Sequence, residues 1–135
     1  MKKAVFLSMV LLTGLIVYSQ ASGQPFRVLS AVFSWQKTTH DFGSMRQKPV
    51  TAVFTFTNTG DAPLVITDAK GSCGCTVPSY TKDPIMPGEQ GEIKAVYNAA
   101  SVGVFNKTVT VTANTDKAAV LTIKGEVVAK QQSNN

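Results

Sequence analysis

From residue 51 onward the chain alternates apolar and polar positions with a period of two, and almost nowhere with the spacing of a helix. Ala52, Phe54 and Phe56 alternate with Thr51, Val53, Thr55 and Thr57, and the run stops at the turn-forming Asn58-Thr59-Gly60-Asp61. Leu64 and Ile66 alternate with Val65 and Thr67, and Ile93, Ala95 and Tyr97 with Glu92, Lys94 and Val96. Phe105, Val109 and Val111 share a face opposite Thr108, Thr110 and Thr112; Leu121, Ile123 and Val127 oppose Thr122, Lys124 and Glu126. Such alternation means one buried and one wetted face per strand, the habit of antiparallel sheets. Pro49, Pro63, Pro78, Pro84 and Pro87 are read as lying between the runs, where they cost no ladder hydrogen bonds. Adding a strand around 32–35 and a short one near 38–42 gives about seven strands. The pattern therefore predicts an all-β, two-sheet antiparallel sandwich, with a small barrel as runner-up.

The ends of the chain read differently. Met1-Lys2-Lys3 is a short basic segment, residues 4–18 are almost wholly apolar, and Ser19-Gln20-Ala21-Ser22-Gly23 is small and polar. That order is the pattern of a secretory signal peptide over 1–21, with cleavage expected after Ala21. The apolar run is shorter than the ~20 residues that span a bilayer, which favours a removed leader over an anchor, with no membrane insertion afterwards. Residues 22–30 read as a linker or lead-in to the first strand, 31–129 as the sandwich and 130–135 as a polar tail. The expected location is the periplasm or the exterior.

Loss of Lys2 and Lys3 takes Lys+Arg from 13 to 11 against 8 acids, a net of +3. The remaining lysines are scattered, which argues against nucleic-acid binding, where basic residues cluster.

Chemistry is sparse. The two cysteines, Cys73 and Cys75, flank Gly74. Residues two apart on an extended strand are ~6.6–6.8 Å apart, at the upper limit for a disulfide, so a bridge needs Gly74 to bend the chain. Such a bridge cannot join distant parts of the fold. A conformational clip is the leading reading. The alternatives are a dithiol–disulfide couple with an external partner, or a reduced pair holding a soft ion such as Cu(I). A closed zinc site wants four ligands, and only His40, Met45 and Met86 are on hand to add to the thiols, so no metal or cofactor is assigned. His40-Asp41 tempts a hydrolytic reading, but no nucleophile is implied beside it. A turn at Asp41 and Gly43, with Phe42 plugging the core, is the preferred account. Trp35 is read as a core residue, and the Asn106-Lys107-Thr108 acceptor pattern as coincidence within a strand.

Several ordered segments resemble a known family: Thr39-His40-Asp41-Phe42-Gly43, Phe54-Thr55-Phe56-Thr57-Asn58-Thr59-Gly60, Pro63-Leu64-Val65-Ile66 and Ser72-Cys73-Gly74-Cys75-Thr76. Ile85-Met86-Pro87-Gly88-Glu89, Lys107-Thr108-Val109-Thr110-Val111 and Leu121-Thr122-Ile123-Lys124-Gly125 follow in order. Together they resemble the bacterial secreted domain of unknown function numbered family 1573, abundant in Bacteroidetes-type genomes. The resemblance implies an immunoglobulin-like sandwich related in shape to Hydin-type and major-sperm-protein domains, which act mainly in binding and scaffolding. It places His40, Asp41, Phe42, Gly43, Cys73, Gly74, Cys75 and Thr76 on motif positions without giving them a role. The expectation is a non-enzymatic envelope module that binds a protein or other envelope partner. The alternative is a periplasmic thiol-redox or Cu(I)-handling protein built on Cys73-Gly74-Cys75.

Overall fold

Burial follows the alternation residue by residue, and this is what organises the chain into layers. Phe54, Phe56, Ile93, Val109, Val111 and Leu121 have no solvent exposure, and the other residues assigned to the inner faces are at most 5 % exposed. The computed structural model describes Gly23 and residues 25–129; residues 1–21, read as a signal peptide, and 130–135, read as a polar tail, fall outside the described residues, as do Ser22 and Gln24. The described chain holds eight strands: β1 (Phe33–Trp35), β2 (Thr39–Arg46), β3 (Val50–Asn58), β4 (Ile66–Gly71), β5 (Thr76–Tyr80), β6 (Gln90–Tyr97), β7 (Gly103–Ala113) and β8 (Ala119–Val128). They form two sheets of four, in the orders β1-β3-β6-β5 and β2-β8-β7-β4. This is the immunoglobulin-like sandwich expected. The inner faces meet over one core, with Tyr97 of the first sheet stacked on Phe105 of the second at 4.3 Å between ring centres.

Two details differ from the expectation. The eighth strand is β5, and Pro78 lies inside it rather than between strands. Thr81 N–H donates to Glu92 O and Asn98 N–H to Cys75 O, so the odd-numbered residues of β5 bond β6 and Pro78 turns its donorless nitrogen to the open edge. A proline there breaks no ladder bond.

The second difference is direction. All strand pairs are antiparallel except β2 with β8, which run parallel. Only three residues, 36–38, separate β1 in one sheet from β2 in the other. The chain thus changes sheets without reversing, and arrives beside β8 with the same heading.

Candidate functional site

β4 leaves the second sheet at Gly71 and β5 enters the first at Thr76, so residues 72–75 cross from sheet to sheet. The cysteine pair lies on this crossing. Cys73 and Cys75 are bridged, with their Cα atoms 5.3 Å apart. That is inside the range a disulfide accepts and well short of the extended-strand separation. The bend is held by backbone contacts. Ser72 N–H donates to Thr108 O at 2.8 Å, Thr108 N–H to Ser72 Oγ at 3.1 Å, and Asn98 N–H to Cys75 O at 3.0 Å. Gly71 is needed for the close approach, because a Cβ there would run into the carbonyl oxygen of Thr76.

Both cysteines are half-buried, Cys75 packs against the core, and Gly74 is exposed. The buried Thr76 hydroxyl lies 3.8 Å from one sulfur and 4.0 Å from the other. In the bridged state neither sulfur offers the thiolate that a soft metal or an exchange reaction requires.

His40 and Asp41 sit on β2, at the opposite edge of the second sheet from β4. The two motif clusters are therefore not one site. Adjacent residues of a strand face opposite ways. The His40 ring turns inward against Phe42, 4.4 Å between ring centres, and Asp41 points out. Lys37 Nζ donates to His40 Nδ1 at 2.8 Å. Partial burial of the ring and the Lys37 charge hold its pKa below the ordinary histidine value, against the upward pull of Asp41.

Asp41 accepts the Gly43 N–H at 2.8 Å and lies 3.7 Å from Lys124 Nζ, so its hydrogen bond goes to the backbone and not to His40. The expected turn at Asp41 and Gly43 is a bulge within β2, between Asp41 and Ser44, with Gly43 at φ +62°. Phe42 packs half-buried on the core beside Phe105, as its plug role required.

Asn58, which the sequence presents as part of a turn signal, carries four side-chain hydrogen bonds. Asn58 is fully buried. Its Nδ2 donates to Ala62 O at 2.8 Å and Ile85 O at 2.9 Å; its Oδ1 accepts from Gly60 N at 3.0 Å and Val32 N at 3.3 Å. Its backbone bonds Glu89 O and Gly88 N as well. The clue was present in the alternation: Ala52, Phe54, Phe56 and Asn58 share one parity, so Asn58 had to fall on the buried face. A buried amide needs partners. Among the described residues no group of three or more His, Cys, Asp or Glu gathers to hold a metal ion, and no helix is long and apolar enough to cross a membrane.

Comparison with known proteins gives the fold a wider setting. A protein of unknown function from Porphyromonas gingivalis W83 superposes with a TM-score of 0.66 at 15 % identity, over 77 % of this chain and 51 % of that one. This chain thus spans about half of that protein. The PapD-like domain 7 of human CEP192, an ASH / PapD-like domain, matches with a TM-score of 0.59 at 8 % identity, over 78 % and 91 % of the two chains. The secreted serine protease VesC from Vibrio cholerae matches at 0.56 and 14 %, over 78 % of this chain and 24 % of that one. At these identities the likeness is one of fold. No curated protein matches the sequence. Residues 33–127 match the family described as "Protein of unknown function (DUF1573)", and the chain belongs to that family.

Proposed function

We propose that the protein is an exported, non-catalytic binding or scaffold module of the cell envelope. The observation that carries this reading is the outer face of the first sheet. Val77, Val96 and Thr51 form a row across β5, β6 and β3, with Val53 beside them, and Val77 is 62 % exposed. An exposed apolar row on a rigid sheet is a surface that a partner can cover. The rest of the described chain is spent on strands and tight turns, and His40 and Asp41 take separate partners. Export rests on the leader pattern over residues 1–21; among the neighbours in fold, VesC is a secreted protein.

Affinity capture from an envelope fraction tests the reading, with the wild-type protein and Val77→Asp as parallel baits. A specific protein or glycan retained by the first and lost from the second is expected. Recovery of no specific partner by either bait would count heavily against a binding role.

A further inference from the structure

Four strands lie at sheet edges, β1 and β5 in the first sheet and β2 and β4 in the second. Three carry features that discourage pairing with another strand. β5 presents the donorless nitrogen of Pro78 at its open edge, β2 is broken by its bulge, and β4 shifts register between Ile66 and Asp68. β1 has only its shortness. Gln36 N–H donates to Thr55 O and Thr59 N–H to Val32 O, so Ser34 is the residue of β1 that faces β3. The backbone groups of Phe33 and Trp35, at the alternate positions, therefore face the open side. Beside them is a cleft of about 320 Å³ between β1 and the β7–β8 turn, lined by Ala31, Phe33, Trp35, Ala118 and Ala119, with Lys117 among its polar residues. Its size suits one or two side chains, at the small end of ligand sites.

The same chain carries an apolar segment that fits such a cleft. Phe26 is fully exposed and Val28 is 85 % exposed. This segment is tied down away from its own cleft. Ser30 N–H donates to Asp61 Oδ1 at 2.8 Å, Asp61 N–H donates to Ser30 O at 2.9 Å, and Arg27 pairs with Asp61 at 2.9 Å. These contacts anchor residues 27–30 over the 59–61 turn and leave the Phe26 ring in solvent.

We propose that residues 25–29 of one copy dock beside β1 of a second copy, with Phe26 entering the cleft between Phe33, Trp35 and the Ala118-Ala119 wall. Each copy owns both a cleft and a segment, so the contact can be reciprocal and close a two-fold dimer. The docked segment would also bond the open backbone groups of Phe33 and Trp35.

Sedimentation of the exported form over a wide concentration range tests this, with emission of Trp35, the single tryptophan, as a local reporter. The mass should rise from one copy to two as concentration increases, and Trp35 emission should shift to the blue in step. Phe26→Asp and Ala118→Arg each change an exposed side chain, so thermal melts should match the wild type. Each should weaken self-association about tenfold or more. Mixed together they should associate again, since the first keeps its cleft and the second its segment.

A wild type that stays single, a dimer that survives Phe26→Asp, or a mixture that fails to associate would each overturn the proposal. So would a Trp35 emission change on Phe26→Asp at concentrations where the wild type is a single copy. That result would put the segment in its own cleft.

Discussion

Two corners of the sandwich are both built from small polar residues, and they are held together by opposite means. At one, the fully buried Asn58 closes the end of β3 with four side-chain hydrogen bonds. At the other, a covalent bond joins Cys73 to Cys75 on the crossing from β4 to β5. The covalent corner looks the stronger and should be the weaker. A disulfide stabilises by restricting the unfolded chain, and this one closes a ring of three residues that was never free to wander far. Asn58 instead satisfies groups from three separate segments, at Val32, Gly60–Ala62 and Ile85, from a side chain that is itself fully buried. Buried polar groups cost more when orphaned than bonds return when made.

The largest effect is therefore expected at Asn58. Asn58→Ala takes the side-chain partner from the Ala62 carbonyl and from the Val32 and Gly60 N–H groups, and leaves the Ile85 carbonyl with the Leu64 N–H alone; it should cost roughly 3–4 kcal/mol in urea denaturation. Asn58→Asp keeps the two acceptor contacts but loses both donors, setting a carboxylate against the carbonyls of Ala62 and Ile85. It should be nearly as harmful. A loss below about 1 kcal/mol in both variants would mean that water or rearrangement replaces the amide, and the contrast between the corners would collapse.

Next comes a change within the cysteine corner that leaves the bridge alone. In Gly71→Ala the new methyl would run into the Thr76 carbonyl, a backbone atom that cannot swing aside. A loss of roughly 2–3 kcal/mol is expected. The double variant Cys73→Ser/Cys75→Ser should cost at most about 1.5 kcal/mol, the chain-entropy value for so short a loop. If removing the bridge proves worse than adding the methyl, the bridge holds the crossing and the backbone contacts only follow it. If the order is as expected, the crossing is shaped by Gly71, Ser72 and Thr108, with the bridge as a local clip.

These corners also show how far the one-dimensional pattern reaches. The apolar residues assigned to the inner faces of β3, β6, β7 and β8 are all buried, because period-two alternation is a local property and the core is where it ends up. β5 was not legible. Its inward residues are Thr76, Pro78 and Tyr80 while Val77 is 62 % exposed, so hydrophobicity runs against the true orientation, and Pro78 reads as a break. The cysteine bridge was legible as a geometric option because both partners lie within three residues. The close approach of Gly71 to Thr76, and the contacts from Thr108 and Asn98, depend on strands that meet only in the folded chain. Asn58 was legible in parity and overlooked because a turn accounts for the same four letters. His40 and Asp41 were legible as neighbours, but strand geometry sends neighbours to opposite faces, and Lys37 reaches His40 only because the chain changes sheets beside it.

The smallest effect expected is one of pH, and it separates the edge at β2 from both corners. An asparagine does not ionise and a bridged cysteine has no proton to lose, so neither corner contributes to stability changes between pH 5 and 7. His40 is the single histidine. Its folded pKa is lowered, first by burial and then by Lys37. In the window between that value and the unfolded value of about 6.5, the unfolded chain binds more protons. The His40 contribution should thus be fully present above pH ~6.5, decline gently as pH falls from there towards the folded pKa and level off below it, with the slope removed in His40→Gln. Lys37→Gln deletes one depressing charge and leaves Asp41, so the His40 titration followed by proton NMR should move upward. A titration that stayed in place, or a protein that gained stability on acidification, would mean that Asp41 and not Lys37 governs the ring, and would bring back the His40–Asp41 pairing that the geometry argues against.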